Sequence, residues 1–175
     1  MTERPDAVVV QHLSKSYRVY AAPGERVRRF LRLPSRYLDV AALADVSFAV
    51  PQGEALAIIG ENGSGKSTLL KLIAGTTRPT NGTVSVSGVV AAILELGTAF
   101  HPEFTGRDNA VLYGALLGID RAEMARRLDD ILDFAELGPF IDQPIKSYST
   151  GMVMRLGFAV ATHLEPEVLV VDEAL

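Results

Sequence analysis

Short apolar runs alternate with stretches of helical period along this chain, and each change of period marks an element. Val8-Val9-Val10 and residues 44–50 predict strands, the second through alternation of Val46, Phe48 and Val50. Pro51-Gln52-Gly53-Glu54 is a turn, after which Ala55-Leu56-Ala57-Ile58-Ile59 predicts a short buried strand. A glycine-rich loop follows, then a helix over residues 68–74 with Gly75 as its stop. Arg78-Pro79-Thr80-Asn81-Gly82 is a turn leading into an antiparallel strand over 83–87, and 89–94 predicts another strand. Thr105-Gly106-Arg107-Asp108 reads as a helix start, with Val111, Leu112, Ala115 and Leu116 at helical spacing. Asp120 with Glu123 predicts a capping box opening a helix to about Phe134. A further helix over 151–163 and a buried strand over 168–171 complete the pattern.

Strands alternating with helices predict an α/β core, with an inserted helical region between Gly106 and Phe140. A length of 175 residues suits one domain. The composition, 48% hydrophobic and 22% charged, is that of a globular chain. A net charge of −4 gives no support to a nucleic-acid partner, which favours a basic face. Cysteine is absent, which excludes disulfides and thiolate metal sites. No apolar run reaches the ~18 residues that a membrane span requires, and the polar start Met1-Thr2-Glu3-Arg4-Pro5-Asp6 is unlike a signal peptide. His12, His101 and His163 lie in separate segments without metal-ligand spacing.

The chemistry concentrates in three segments. Gly60-Glu61-Asn62-Gly63-Ser64-Gly65-Lys66-Ser67 fits a phosphate-binding loop between a strand and a helix. Its glycines let backbone N–H groups turn inward, and the helix that follows from Thr68 aims its N-terminal dipole at the anion. Lys66 can reach the β- and γ-phosphates of ATP, and the Ser67 hydroxyl can ligate Mg²⁺. Leu169-Val170-Val171-Asp172-Glu173 is an apolar strand ending in two carboxylates. Asp172 can hold Mg²⁺ through water, and Glu173 can orient or deprotonate an attacking water. The third segment, Tyr148-Ser149-Thr150-Gly151-Met152, is a polar turn entering a helix, a second anion-binding geometry. Taken alone it is more often an ordinary N-cap.

With these motifs in this order, the chain resembles the ATP-binding cassette (ABC) ATPases over nearly its whole length. The resemblance implies a P-loop core of ABC type, an antiparallel β subdomain and a helical subdomain over about 106–163. It implies that residues 1–175 form one nucleotide-binding domain, incomplete at the C-terminus. Ser149 and Gly151 match the serine and second glycine of the family's signature, while Tyr148, Thr150 and Met152 depart from it. That signature serves the ATP of the opposite subunit, so the resemblance implies a head-to-tail dimer around two nucleotides. Tyr17 matches the aromatic that stacks on adenine, with Tyr20 as its alternative. Glu95 stands in for the glutamine that senses Mg²⁺ and the γ-phosphate, since that position falls at Leu96.

The departures resemble the subgroup exporting polysaccharides, O-antigens and wall teichoic acids, as does the stretch from Leu94 through Phe100, Phe104 and Asn109. The implied activity is ATP hydrolysis driving export of a lipid-linked glycan through a separate transmembrane permease, from the cytoplasmic face of the membrane. The alternative is a truncated module that binds ATP without turnover, because only Ala174 and Leu175 follow Glu173. The basic segment 24–37, with Val27, Phe30 and Leu31 on one helical face, suits a membrane surface, a partner's helix or an ordinary solvated helix.

Overall fold

The computed structural model describes residues 4–20, 22, 37–94 and 100–172, which fall into two compact units divided after Val86. The basic segment 24–36, Glu95 with Leu96, and Glu173 lie outside the described residues.

In the first unit, β1 (Asp6–Tyr20) is the middle strand of an antiparallel sheet. It is flanked by β2 (Tyr37–Pro51) and β3 (Asn81–Val86). Both long strands extend beyond the runs of Val8–Val10 and 44–50, because Lys15 to Tyr20 pair with Leu43 back to Tyr37. On β1 the polar residues Lys15, Ser16 and Arg18 hide the extension from an alternation pattern. The ladder is broken by bulges between Val10 and Leu13, where His12 takes a left-handed φ of 49°. Side chains fill the gap: His12 Nδ1 lies 2.8 Å from Asp45 Oδ1, and the His12 amide donates to Ser47 Oγ at 2.8 Å. Bulges of this kind bend a strand and strengthen its twist. One face of β1 buries Val8, Val10 and Leu13, and helix α1 (Lys66–Ile73) packs near β2 and β3 with Leu69, Leu72 and Ile73 buried.

The expected strand over 55–59 does not form. Leu56 and Ile59 are exposed, Ile59 to 93%. Apolar character alone cannot make a buried strand; it needs a ladder partner on each side. Among the described residues none pairs with this run.

The second unit holds a parallel pair, β4 (Val90–Ile93) and β5 (Val168–Val171), with Val90 opposite Val168 and Ile93 opposite Val171. Three helices lie between them in sequence: α2 (Gly106–Leu116), α3 (Arg121–Ala135) and α4 (Thr150–Thr162). Their inner faces meet in one cluster that includes Tyr113, Met124, Ile131, Leu156 and Val160. Ala161 of α4 packs on Ala91 and Ile93, covering one face of the strand pair. The buried strand expected over 168–171 forms as β5 but is covered on one face: Val170 is buried, while Leu169 and Val171 are 38% and 37% exposed.

Each of these three helices begins where a capping side chain allows. Thr105 Oγ1 accepts the Asp108 amide at 3.1 Å, and Ser149 Oγ accepts that of Met152 at 3.3 Å. Asp120 Oδ1 accepts the amides of Ala122 and Glu123 at 2.7 and 2.9 Å. The predicted box is half formed, because the Glu123 carboxylate pairs with Arg126 and Arg127. The amides of Glu123 and Ala122 hold the Asp120 carboxyl below its usual range. That stabilisation is present above the unfolded carboxyl's value and is lost as pH falls through the lower folded one.

Asn109 is the one fully buried polar side chain among the described residues. Its Nδ2 shares two N–H groups among the carbonyls of His101, Phe104 and Thr105 at 3.0, 3.1 and 2.9 Å, while Oδ1 accepts the His101 amide at 2.7 Å. One side chain thus holds the loop that precedes α2. Asn109→Ala leaves those groups unpaired and is expected to cost about 2–4 kcal/mol, read as a lower urea midpoint at unchanged slope.

Candidate nucleotide site

The turn Glu61–Ser64, closed by the Ser64 amide on the Glu61 carbonyl at 3.2 Å, begins the phosphate loop. Gly63 and Gly65 take φ of +84° and +99°, in the left-handed region where a Cβ is strained. At Gly65 the requirement is double. A Cβ there would collide with the Ala42 carbonyl oxygen of β2 and touch Leu43 Cδ2 at 3.0 Å. Gly65 is also the N-cap of α1, and no side chain caps this helix start. Its amides, unlike those of α2, α3 and α4, are left available to an anion.

Lys66 is the first residue of α1, and its Nζ donates to the carbonyls of Gly60 and Glu61, both at 2.9 Å. The ammonium therefore lies over the loop that its own backbone helps to form. Ser67 and Thr68, in the first turn of α1, are half-buried, whereas Glu61, Asn62, Gly63 and Ser64 are exposed. A cradle of this shape, with backbone donors, a lysine and a hydroxyl, suits the phosphates of a nucleotide with its Mg²⁺.

Tyr17 belongs to the same unit. It sits opposite Val40 on β2, two residues from the Ala42 carbonyl that backs Gly65. By strand spacings its backbone lies about 8–9 Å from that carbonyl. The Lys15 ammonium stands 5.0 Å from the Tyr17 ring centroid, and the same Nζ donates to the Arg78 carbonyl at 2.7 Å. The alternative aromatic, Tyr20, instead tilts against Tyr37 at 6.0 Å between centroids.

The other sequence candidates belong to the second unit. Ser149 is the N-cap of α4, Thr150 and Gly151 are exposed, and Met152 packs against the helical cluster. A Cβ on Gly151 would come no nearer than 4.0 Å to anything but its neighbours, so its face is open. Asp172 follows β5, and its amide donates to the Ile93 carbonyl at 3.1 Å, which fixes the acid at the end of the parallel pair. Its expected companions Glu95 and Glu173 lie outside the described residues. Among the described residues no cluster of three histidine or acidic side chains could hold a metal unaided.

Sequence reasoning missed two contributors. Asn109 offered one signal, a lone amide beside Ala110 and Tyr113 on an inward face. The Tyr148 hydroxyl offered none, since its partner, the Phe140 carbonyl 2.6 Å away, is a backbone group.

A glycine-rich loop of this sequence running into an uncapped helix start, in a chain that superposes on solved ATP-binding cassettes, defines a P-loop nucleotide-binding fold of cassette type. The family model described as ABC transporter matches residues 43–175, and the chain belongs to that family. It is 45% identical to the O-antigen export system ATP-binding protein RfbB of Myxococcus xanthus, over all of this chain and 42% of that protein. A Klebsiella pneumoniae protein of the same description is 47% identical over 94% of this chain and 69% of its own length. The teichoic acids export ATP-binding protein TagH of Bacillus anthracis is 42% identical over 96% of this chain and 30% of its length. The chain thus spans between about a third and two thirds of these relatives. Among solved structures, a dimeric ATP-binding cassette in a post-hydrolysis state bound to ADP and Pi superposes with a TM-score of 0.73. It is 21% identical, over 95% of this chain and 74% of that one. An ATP-binding subunit of an ABC transporter gives 0.72 at 28% identity, over 97% of this chain and 67% of its own.

The two glycines separate backbone strain from crowding. Gly63→Ala meets nothing within 4 Å and is expected to cost about 1 kcal/mol. Gly65→Ala must also displace the β2 backbone, and should cost about 2–4 kcal/mol. Thermal melts of the two variants check the order, and equal costs would contradict the crowding.

Proposed function

We propose that this chain is the nucleotide-binding part of an ABC exporter ATPase that drives export of a polysaccharide or lipid-linked glycan. The observation that carries the reading is the loop: left-handed Gly65 against β2, an uncapped α1, and Lys66 turned onto the loop carbonyls. The relatives' roles in O-antigen and teichoic acid export support the choice of cargo class.

In this reading the amides from Gly60 to Thr68 hold the phosphates, Lys66 neutralises the β- and γ-phosphate charge, and the Ser67 hydroxyl ligates Mg²⁺. The adenine stacks on Tyr17, a contact on the order of 1–3 kcal/mol by analogy with base-stacking platforms. Asp172 supports the metal through water, Glu173 orients or deprotonates the attacking water, and Glu95 senses the metal and γ-phosphate. Bound Mg²⁺ supplies the charge that offsets the β,γ-phosphate oxygens during in-line attack.

Ser149, Thr150, Gly151 and Met152 serve the nucleotide of a second copy of this chain, in a head-to-tail homodimer. The open face at Gly151 suits a close approach by a phosphate. Residues 1–175 act as one nucleotide-binding domain, and its helical subdomain over about 106–163 faces a separate transmembrane permease. No helix among the described residues is long and apolar enough to cross a membrane, which suits peripheral attachment at the cytoplasmic face.

The test is Glu173→Gln in the intact protein. Steady-state turnover is expected to fall at least about 100-fold, while MgATP affinity stays within about threefold. Equal loss of both would remove Glu173 from the water-activating role. A wild-type protein that binds MgATP without any turnover would favour a binding module instead.

A further inference from the structure

The approach to Ser149 is fastened residue by residue to the loop that precedes α2. The Ile145 amide donates to the Phe104 carbonyl at 2.9 Å, and the Lys146 amide to that of Pro102 at 3.0 Å. Lys146 Nζ pairs with Glu103 at 2.6 Å, and the Gly106 amide donates to the Gln143 carbonyl at 3.2 Å. Tyr148 makes the last tie before the serine: its hydroxyl donates to the Phe140 carbonyl at 2.6 Å. That hydroxyl fits only because residue 106 has no side chain. A Cβ on Gly106 would collide with it, besides approaching Ile141 Cδ1 and the Ile141 carbonyl at 3.0 Å. Partial burial, with the Asp142 charge adding to it and the Gly106 amide opposing, raises the Tyr148 phenol above its ordinary value. The hydroxyl therefore keeps its proton, and stays a donor, throughout the neutral range.

We infer that Tyr148 is a positioning residue for the signature segment: its hydroxyl, latched to the Phe140 carbonyl across Gly106, fixes the direction in which Ser149 and the first turn of α4 are presented. The residue that carries the latch immediately precedes the N-cap Ser149. A tether at that distance limits rotation of the helix start, and small errors of orientation weigh heavily on a group that must meet a phosphate. The tie spans unlike elements, the helix-entry turn of α4 and the short 3₁₀ turn Gly138–Asp142. It thus links the signature serine to the helical insert. The inference rests on the reading of Ser149 as a nucleotide-facing residue, and the experiment separates the two.

Turnover (kcat and KM), MgATP affinity by titration and melting temperature are measured on the intact protein for wild type, Tyr148→Phe, Gly106→Ala, the double variant and Ser149→Ala. Tyr148→Phe keeps the ring and is expected to lower kcat roughly five- to tenfold, with MgATP affinity within twofold. Gly106→Ala should lower kcat similarly by pushing the hydroxyl aside, and its effect should shrink in the Tyr148→Phe background, where no hydroxyl remains to be displaced. Wild-type kcat in Tyr148→Phe, additive effects in the double variant, or loss of affinity in step with kcat would each overturn the latch. If Tyr148→Phe melts too low to assay, Gly106→Ala alone decides: unchanged kcat overturns the inference, and a fall at unchanged affinity supports it. Ser149→Ala at wild-type turnover would overturn the underlying reading and the inference with it. Loss in Ser149→Ala beside an active Tyr148→Phe would overturn only the inference.

Discussion

The close approach of the β2 backbone to Gly65 is the constraint on which the first unit turns. With the Ala42 carbonyl directly behind it, residue 65 has no room for a side chain, and its φ of +99° suits glycine alone. This one residue ends the loop, starts α1 and leaves the helix amides uncapped. The same geometry places Lys66 where its ammonium reaches back to Gly60 and Glu61. Phosphate binding in this account is a property of backbone direction first and of side-chain charge second.

The second unit solves a different problem, holding irregular backbone still beside helices. Asn109 fixes the loop before α2 with four hydrogen bonds from a fully buried amide. The segment from Pro144 to Lys146 is then hung on that loop. Ser149 begins α4 at the end of this chain of ties, and the inner face of α4 is locked by Leu156, Ala159 and Val160. Ser149 is therefore placed by tertiary contacts on its N-terminal side and by core packing on its C-terminal side.

What could be read from the sequence was what local chemistry encodes. The phosphate loop was legible because glycine spacing states the backbone conformation directly. Thr105, Asp120 and Ser149 were legible as caps because a cap bonds to amides two or three residues away. Non-local features were not legible. The run 55–59 reads as a buried strand, but burial depends on partners that apolar character cannot supply. The same holds for β5, where one covered face leaves Leu169 and Val171 exposed. The outer half of β1 was hidden for the opposite reason: its polar residues are held by pairing across bulges that give no periodic signal. Asn109 and the Tyr148 hydroxyl act on backbone carbonyls of other segments, which no spacing rule reveals.

The most direct measurement is a calorimetric titration of MgATP into the protein and into its Lys66→Ala variant. The account predicts one nucleotide bound per chain, with affinity at least about 100-fold weaker once the ammonium is removed. Equal affinity in both proteins would show that the loop of Gly60 to Ser67 is not where the phosphates are held, and would contradict the account at its centre.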